Sequence, residues 1–462
     1  MDARVWTTLT GDTLAEGAVE VTGPESVLPG TFRVEEAATT SIAAATLAAG
    51  ELLRLRGIEP GKVSIDTRHA AASFRSEQYL RVDGEPVPFS APLSGDYRAN
   101  DGWVRLHCDY PRHVSAVCWG LGVPATRAAF EKVVAAKSKY EVESAVVGAG
   151  GAAAVLRSRE EWLAHKQGQA SSGLPIAEIR SLGSSEPVRL FESDRPLGGV
   201  RILDLTHVIA GPVAGRVLAA HGATVMHIGS AQLPTVPPLA VDTGMGKLSA
   251  YVDLETEAGR SRLRKLIARA DVVVQGFRPG SLVAKGFSPE AMAELRPGIV
   301  VADLSAYGWE GPWARRRGFD SLVQMASGIA DEGGKTAGLD GPGPLPVQAL
   351  DHATGWLTAA AIMTALRRAV TEGGSRHVRT SLAGTAEWLN SLGRKEAGPA
   401  GFDGGEWLEE VDGQLGRVTR VKMAGTLPGS NPQWTEATHV PGSDARTRKR
   451  PPGLVNPPQV GD

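Results

Sequence analysis

The stretch Gly199–Ile228, GVRILDLTHVIAGPVAGRVLAAHGATVMHI, decides the fold. Within it, Val200–Leu205 is a short apolar run bounded by turns and reads as a buried strand. Gly211–His221 carries apolar residues at helical spacing, and Thr224–Ile228 is a second apolar run. Strand, glycine-bearing loop, helix and strand in that order make a βαβ unit. The alternation continues downstream. It predicts a short strand at Ala250–Asp253, an amphipathic helix over Glu255–Arg269 and a strand at Asp271–Val274. A helix at Pro289–Leu295, a strand at Ile299–Leu304, a long Ala-rich helix over Asp351–Arg368 and a strand at His377–Leu382 follow. The expected class is α/β, a Rossmann-like parallel sheet with helices on both faces. A smaller α+β domain is expected upstream, built on a strand at Trp103–Cys108 and the helices after it.

Composition sets the outer limits. The chain has 462 residues, 49 Lys and Arg against 51 Asp and Glu, and 42% hydrophobic residues. That mixture supports a packed core and excludes a wholly disordered chain. A net charge of −2 is unlike a dedicated nucleic-acid binder. No apolar run approaches the roughly 18 residues of a membrane span, and the start, MDARVWTTLTGDTLAEG, lacks the basic and apolar regions of a secretory leader. Two cysteines, Cys108 and Cys118, make neither a disulfide framework nor a four-thiolate zinc site. The expectation is a cytoplasmic protein with no metal, no membrane and no nucleic-acid partner.

An internal repeat organises the rest. Shifted by 315 positions, Val34–Ser76 lies over Ala349–Ser391 without a gap, pairing Ala38 with Ala353, Thr39 with Thr354 and Val63 with Val378. Each copy runs acid, Ala-Thr, Ala-rich helix, Gly, strand, helix, with Glu36 and Asp351 as the equivalent acids. The expected layout is a partial repeat over 1–85, a small α+β domain over 86–180, a linker over 181–197 and a large domain over 198–395. An extended C-terminal segment with a mobile tip covers 396–462.

Four loop-bearing pieces concentrate in the large domain: DLTHVIAGP (Asp204–Pro212), GFRPG (Gly276–Gly280), AYGWEGPW with RRRGFDSLVQMASG (Ala306–Gly328), and ALDHATGW (Ala349–Trp356). Open parallel sheets bind ligands beyond the carboxyl ends of their strands, where such loops fall. In this order the pieces resemble the family III CoA-transferases, the group with formyl-CoA:oxalate and carnitine CoA-transferases and the α-methylacyl-CoA racemases. The resemblance covers most of Gly199–Leu392.

That resemblance implies a CoA-transferase using an acyl-CoA and a carboxylic acid as substrates, with Asp351 as the nucleophile in Asp351-His352-Ala353-Thr354-Gly355. A carboxylate with an unperturbed pKa of about 3.9 is ionised at pH 7 and can attack a thioester. On the residues alone, Asp351 reads as a helix N-cap, and it is the resemblance that makes it the nucleophile. The resemblance further implies CoA contacts from Lys247, Phe277, Arg278, Pro279, Gly280, Tyr307 and Gly308. The chain also departs from the family. HIGSAQLPTVPP (His227–Pro238) stands where an E-R-P/R-G-D stretch is usual, and Gly276 where Asn is usual. Phe319 stands where racemases carry a catalytic His, which disfavours proton abstraction, and Asp320 after it reads as a cap. The first part resembles the later half of a family chain, so a shortened tandem fusion is expected, a pseudo-dimeric monomer or a homodimer. Acyl-CoA racemase and non-catalytic CoA-binding subunit are the alternative readings.

Other motifs read as structural. Gly148–Ala153 fits G-x-G-x-x-A without the strand context or the acid about 20 residues on, and is expected to be an Ala-rich helix. His107, Cys108, His113 and Cys118 lack metal-ligand spacing. Arg315-Arg316-Arg317 and Arg446–Arg450 read as solvated charge runs.

Overall fold

The computed structural model describes residues 1–444 apart from Pro234 and Ala400; Arg446–Arg450 lie outside the described residues. The chain opens with helices and a two-stranded parallel sheet, Val19–Thr22 with Val63–Asp66, joined by helix α1 (Val34–Leu55). A three-stranded antiparallel sheet follows, Gly95–Ala99, Gly102–Leu106 and Ala153–Val155, packed on helices by Val104, Leu106, Phe130, Val134, Val142 and Val146.

The large sheet has seven strands: β1 (Glu178–Gly183), β2 (Arg201–Leu205), β3 (Thr224–Gly229), β4 (Lys247–Tyr251), β5 (Val272–Gln275), β6 (Val300–Ser305) and β7 (Ser375–Ser381). Their spatial order is β4-β3-β2-β5-β6-β7-β1, parallel throughout except for the antiparallel edge strand β1. Order reverses between β2 and β5, whose ends lie in register at Leu205 and Gln275. That reversal is the switch point where a doubly wound sheet opens a crevice.

The strands are apolar on both sides because both faces are covered. Leu203, Ile228, Val273 and Val301 pack with Leu263, Ile267 and Met292 of the helices on one face. Ile202, Val225, Val274 and Ala302 pack with α2 (Ala210–Ala220) and α4 (Ala349–Thr371) on the other. Between them in sequence lies a short helix, α3 (Asp320–Ala326). Helix α1 packs along α4, and the alanines of both let the two backbones approach. The repeat register holds at the element level. Val34 and Ala349 open the helices, and Asp66 and Ser381, both 315 apart, cap the helices that follow the strands.

Three stretches depart from expectation. The run read as a linker from Ser181 begins inside β1, an edge strand whose single pairing partner left little hydrophobic pattern. Gly148–Ala153 is no Ala-rich helix: the helix ends at Gly148, Gly150 turns at φ 82°, and Ala153 starts a buried strand. The C-terminal segment, as far as it is described, is tied down. Its hairpin, Leu408–Gly413 and Gly416–Val421, pairs with Arg81–Val82, and Gly246 and Ser249 donate backbone hydrogen bonds to Glu436 and Asp444. No described helix is long and apolar enough to cross a membrane.

Candidate active site

The crevice is framed by a buried ion pair. Asp204, in β2, receives Lys247 Nζ at 2.7 Å, and the same ammonium donates to the Pro212 carbonyl at 2.7 Å. Burial works to raise the Asp204 carboxyl, but the charges of Lys247 and His227 outweigh it and hold it below its ordinary range. Gly215 sits directly over the pair; a Cβ there would lie 2.6 Å from Asp204 Oδ2 and 2.8 Å from Lys247 Nζ. Thr206 donates its N–H and hydroxyl to Asp204, turning the chain at the end of β2. Two residues on, Val208 adopts φ 73°, a left-handed conformation that is strained for a β-branched side chain. This turn brings His207 beside Phe277, ring centroids 6.3 Å apart, across the switch point. Burial, with His227 and Arg112 nearby, pushes the His207 imidazole down to about 4, so it is neutral at pH 7.

Asp351 is the third residue of α4, not its N-cap. Gln348 holds that position and contributes no side-chain cap. The capping acceptor comes from α3: Asp320, fully buried, accepts the Asp351 N–H at 2.9 Å and the Gln324 amide. Asp320 therefore caps a neighbouring helix and not its own, where Phe319 is the N-cap. Among the described residues no hydrogen bond or ion pair engages the Asp351 carboxylate, which is 6% exposed. Burial first, then the negative charges of Asp320 and Glu77, push Asp351 well above the ordinary carboxylate range. Burial lifts Asp320 to about 6 against the hydrogen bonds it accepts. Two interacting carboxyls of this kind titrate as a pair. The structure thus corrects the view of Asp351 as an unperturbed acid.

Gly355 follows from packing. A Cβ there would sit 2.5 Å from the Ala210 carbonyl and 2.8 Å from Val213, so glycine lets α4 cross α2. This crossing brings the starts of both helices together beside Asp351, where N–H groups favour negative charge. The first part of the chain supplies further neighbours. Glu77 meets His352 Nε2 at 3.1 Å, and Phe74 stacks on the same imidazole at 5.3 Å. Tyr110 feels the Asp351 charge; burial, Asp109 and Asp351 raise its phenol to about 12. None of these neighbours was legible in sequence, because all are brought in over long separations.

The remaining sequence candidates separate. Phe277, Arg278, Pro279 and Gly280 form a loop open to solvent at the carboxyl end of β5, with Gly280 at φ 85° and Arg315 reaching over it. Lys247 is buried, its ammonium turned into the pair with Asp204. Tyr307 is buried against Trp313, and burial raises its phenol to about 12. Gly308 turns at φ 84° under Leu174. Gln167, from the small domain, clamps this loop through the Tyr307 and Glu310 carbonyls and the Trp313 N–H. Arg316 is not solvated: it pairs with Glu143 at 3.0 Å and lies 4.0 Å over the Trp313 ring. Phe319 stacks on His107 at 3.6 Å.

Beside Lys247 lies a cleft open to solvent between the ends of β3 and β4, the helix Pro237–Thr243 and the segment Thr438–Pro441. Val208, Leu233, Val236, Leu239, Leu248 and Tyr251 line it, together with Tyr110 and Pro212.

Fold and site together define an α/β enzyme with a buried carboxylate beside a switch-point crevice. The chain belongs to CoA-transferase family III, whose profile matches residues 197–397, and it is a CoA-transferase of that family. It is 30% identical over 401 residues to an "Acyl-CoA transferase" of Gibberella moniliformis, covering 77% of this chain and 70% of that protein. It is 28% identical over 390 residues to the "Acetyl-coenzyme A transferase nodX" of Hypoxylon pulicicidum, 73% of this chain and 65% of that one. Over 189 residues it is 38% identical to a "Probable fatty acyl-CoA transferase" of Mycobacterium tuberculosis, 37% of this chain and 46% of the other. The chain thus spans between about half and 70% of the length of these relatives.

Proposed function

We propose that this protein moves CoA from an acyl-CoA thioester to a carboxylic acid through a covalent aspartyl-CoA intermediate on Asp351. The carrying observation is the Asp351 carboxyl itself, buried at the start of α4, without a partner among the described residues and raised by burial, Asp320 and Glu77. A carboxylate whose charge is poorly compensated attacks more readily than one held in an ion pair. It adds to the thioester carbonyl and expels CoA thiolate, leaving a mixed anhydride. The thiolate then attacks the Asp351 carbonyl carbon of that anhydride, forming the aspartyl-CoA thioester and releasing the first acid. The acceptor carboxylate reverses both steps with its own acyl group. The helix start at Ala210 offers N–H groups to the oxyanions that develop, those of α4 being taken up by Asp320 and the chain before it.

In this reading the Phe277-Arg278-Pro279-Gly280 loop carries CoA phosphates. Tyr307 and Gly308 shape the neighbouring wall from within, and Lys247 acts by holding Asp204 and the turn at Val208. Residues 1–197 supply in cis what a second subunit would otherwise bring, namely Glu77 and Tyr110, and Glu36 plays no chemical part. The substrates are an acyl-CoA and a carboxylic acid. The test is trapping: hydroxylamine or borohydride after acyl-CoA addition should modify Asp351 alone, and labelling elsewhere, or none, would overturn the proposal.

A further inference from the structure

Main-chain donors around Asp351 are few. Asp351 and Gly355 stand about one turn apart on a single face of α4, and a Cβ on Gly355 would lie 2.5 Å from the Ala210 carbonyl, so that face meets the start of α2. The start reads Ala210-Gly211-Pro212, and proline carries no N–H. The first N–H groups of α4 are already taken: Ala349 donates to Val347, Asp351 to Asp320 and His352 to Gln348. A side-chain donor stands nearby. Tyr110 is the N-cap residue of the helix Pro111–Leu121, and its carbonyl accepts the His113 N–H at 2.8 Å. Its ring packs edge-on to His113 at 5.3 Å and beside Phe319 at 6.4 Å. Phe319 precedes Asp320, the acceptor of the Asp351 N–H, so this packing sets Tyr110 next to Asp351. His107 and His113, lowered by burial to about 4 and about 3, are neutral at pH 7 and hold the phenol by packing alone. Tyr110 is 7% exposed, and among the described residues its hydroxyl has no hydrogen-bond partner. The Tyr307 hydroxyl is also unpartnered but is sealed inside the protein, whereas Tyr110 lines the cleft in company with His207 and Pro212. In such a place a nearly buried phenol is a donor for a ligand.

We propose that Tyr110 is a catalytic residue that donates its O–H to the carbonyl oxygen of the bound thioester. The role rests on the proposed attack by Asp351. As an Asp351 oxygen bonds to the acyl carbon, the carbonyl π pair moves onto the oxygen, and the Tyr110 O–H donates to it without giving up its proton. When the C=O double bond re-forms, the C–S bond breaks and CoA leaves as thiolate, with the mixed anhydride on Asp351. The Ala210 and Gly211 N–H groups are the main-chain donors for the same oxygen. Burial first, then Asp109, raise the phenol to about 12, so it keeps its proton at neutral pH, while Arg112, 5.5 Å over the ring, draws on its electrons and strengthens it as a donor. The hydrogen bond tightens as charge develops on the oxygen, so Tyr110 acts on the rate and not on affinity.

The experiment follows exchange of labelled butanoate into butanoyl-CoA in the wild type, Tyr110→Phe and Asp351→Asn, with calorimetry of free CoA and a melting curve for each variant. Phenylalanine keeps the ring and its packing. Tyr110→Phe should lower kcat by about a hundredfold, with KM for butanoyl-CoA and affinity for free CoA within about twofold of wild type and the melting temperature unchanged. A purely structural role would move KM or the melting temperature and not kcat alone. The second readout needs no turnover. The infrared carbonyl stretch of butanoyl-CoA bound to Asp351→Asn should fall to lower wavenumber, and the shift should vanish when Tyr110→Phe is added. A wild-type kcat in Tyr110→Phe, or a carbonyl band that is the same with and without the hydroxyl, would overturn the assignment. Absence of exchange in the wild type, or exchange undiminished by Asp351→Asn, together with a band shift that depends on Tyr110, would sink the Asp351 reading and leave Tyr110 as the donor to the carbonyl.

Discussion

Helices α1 and α4 share length, composition and register, yet they treat their leading acids in opposite ways. In α1 the buried acid is Glu35, whose Oε1 accepts from the Val27 and Leu28 N–H groups and from Lys395 Nζ at 2.7 Å. Glu36, the positional match of Asp351, stands half-exposed with Arg33 at 3.6 Å. In α4 the buried acid has Asp320 and Glu77 for neighbours and no cation within pairing distance among the described residues. The scaffold is duplicated; the electrostatic surroundings are not. A cation turns a buried carboxylate into a structural post, whereas crowding by like charge keeps it reactive.

The sharpest way to break this contrast is to neutralise each acid. Asp351→Asn should cost at least about a thousandfold in transfer rate, because the proposed covalent route is gone, while Glu36→Gln should change it less than twofold. A folded, inactive Glu36→Gln enzyme would put the chemistry in the wrong half. Stability should move the other way. Asp351 binds its proton more tightly folded than unfolded, so its charge disfavours the fold above its raised pKa. The penalty disappears as pH falls below the ordinary carboxylate range, where both states are protonated. Asp351→Asn should therefore melt no lower than wild type at pH 7–8, and the two should converge near pH 3.

Next in size is Lys395→Met. It strands Glu35 without its cation and should destabilise by about 3 kcal/mol in denaturant unfolding, with specific activity per folded molecule unchanged. Gly355→Thr copies the α1 residue Thr40 into α4. Its side chain collides with Ala210 and Val213, and overpacking should cost about 2 kcal/mol. Unchanged stability would mean that α2 and α4 can separate freely. The smallest effect is expected from Asp320→Asn, which keeps an oxygen for the Asp351 N–H but removes the like charge. Asp351 should then ionise at lower pH, moving the acid limb of the rate profile down and raising the rate at pH 7, where Asp320 itself carries charge, by up to about tenfold. An acid limb that stays in place would assign it to another group.

Much of this was readable before any coordinates. The apolar runs of β2, β3, β5 and β6 appear within a residue or two of their positions, since strands buried on both faces need continuous hydrophobic sequence. β4 starts at Lys247, three residues earlier than its apolar pattern suggests, because its first buried side chain is the charged partner of Asp204. β1 was hidden in a polar stretch, as a strand paired along one edge can be. Asp351 was findable from its motif, but its neighbours were not. Asp320 looks like a local cap and caps another helix, and Tyr110 and Glu77 carry no local pattern. The strain at Val208 has no sequence signature, since nothing about valine announces a positive φ.

Glu77 and Tyr110 reach Asp351 along the same covalent chain, and this has a kinetic consequence. Meeting of the halves becomes a unimolecular event, with an effective concentration of the order of millimolar for segments joined by short connections. Dissociation of a partner then cannot remove Glu77 or Tyr110 from the surroundings of Asp351, however dilute the protein. Turnover per molecule should accordingly stay flat from micromolar to nanomolar enzyme, so that a few copies work as well, each, as many.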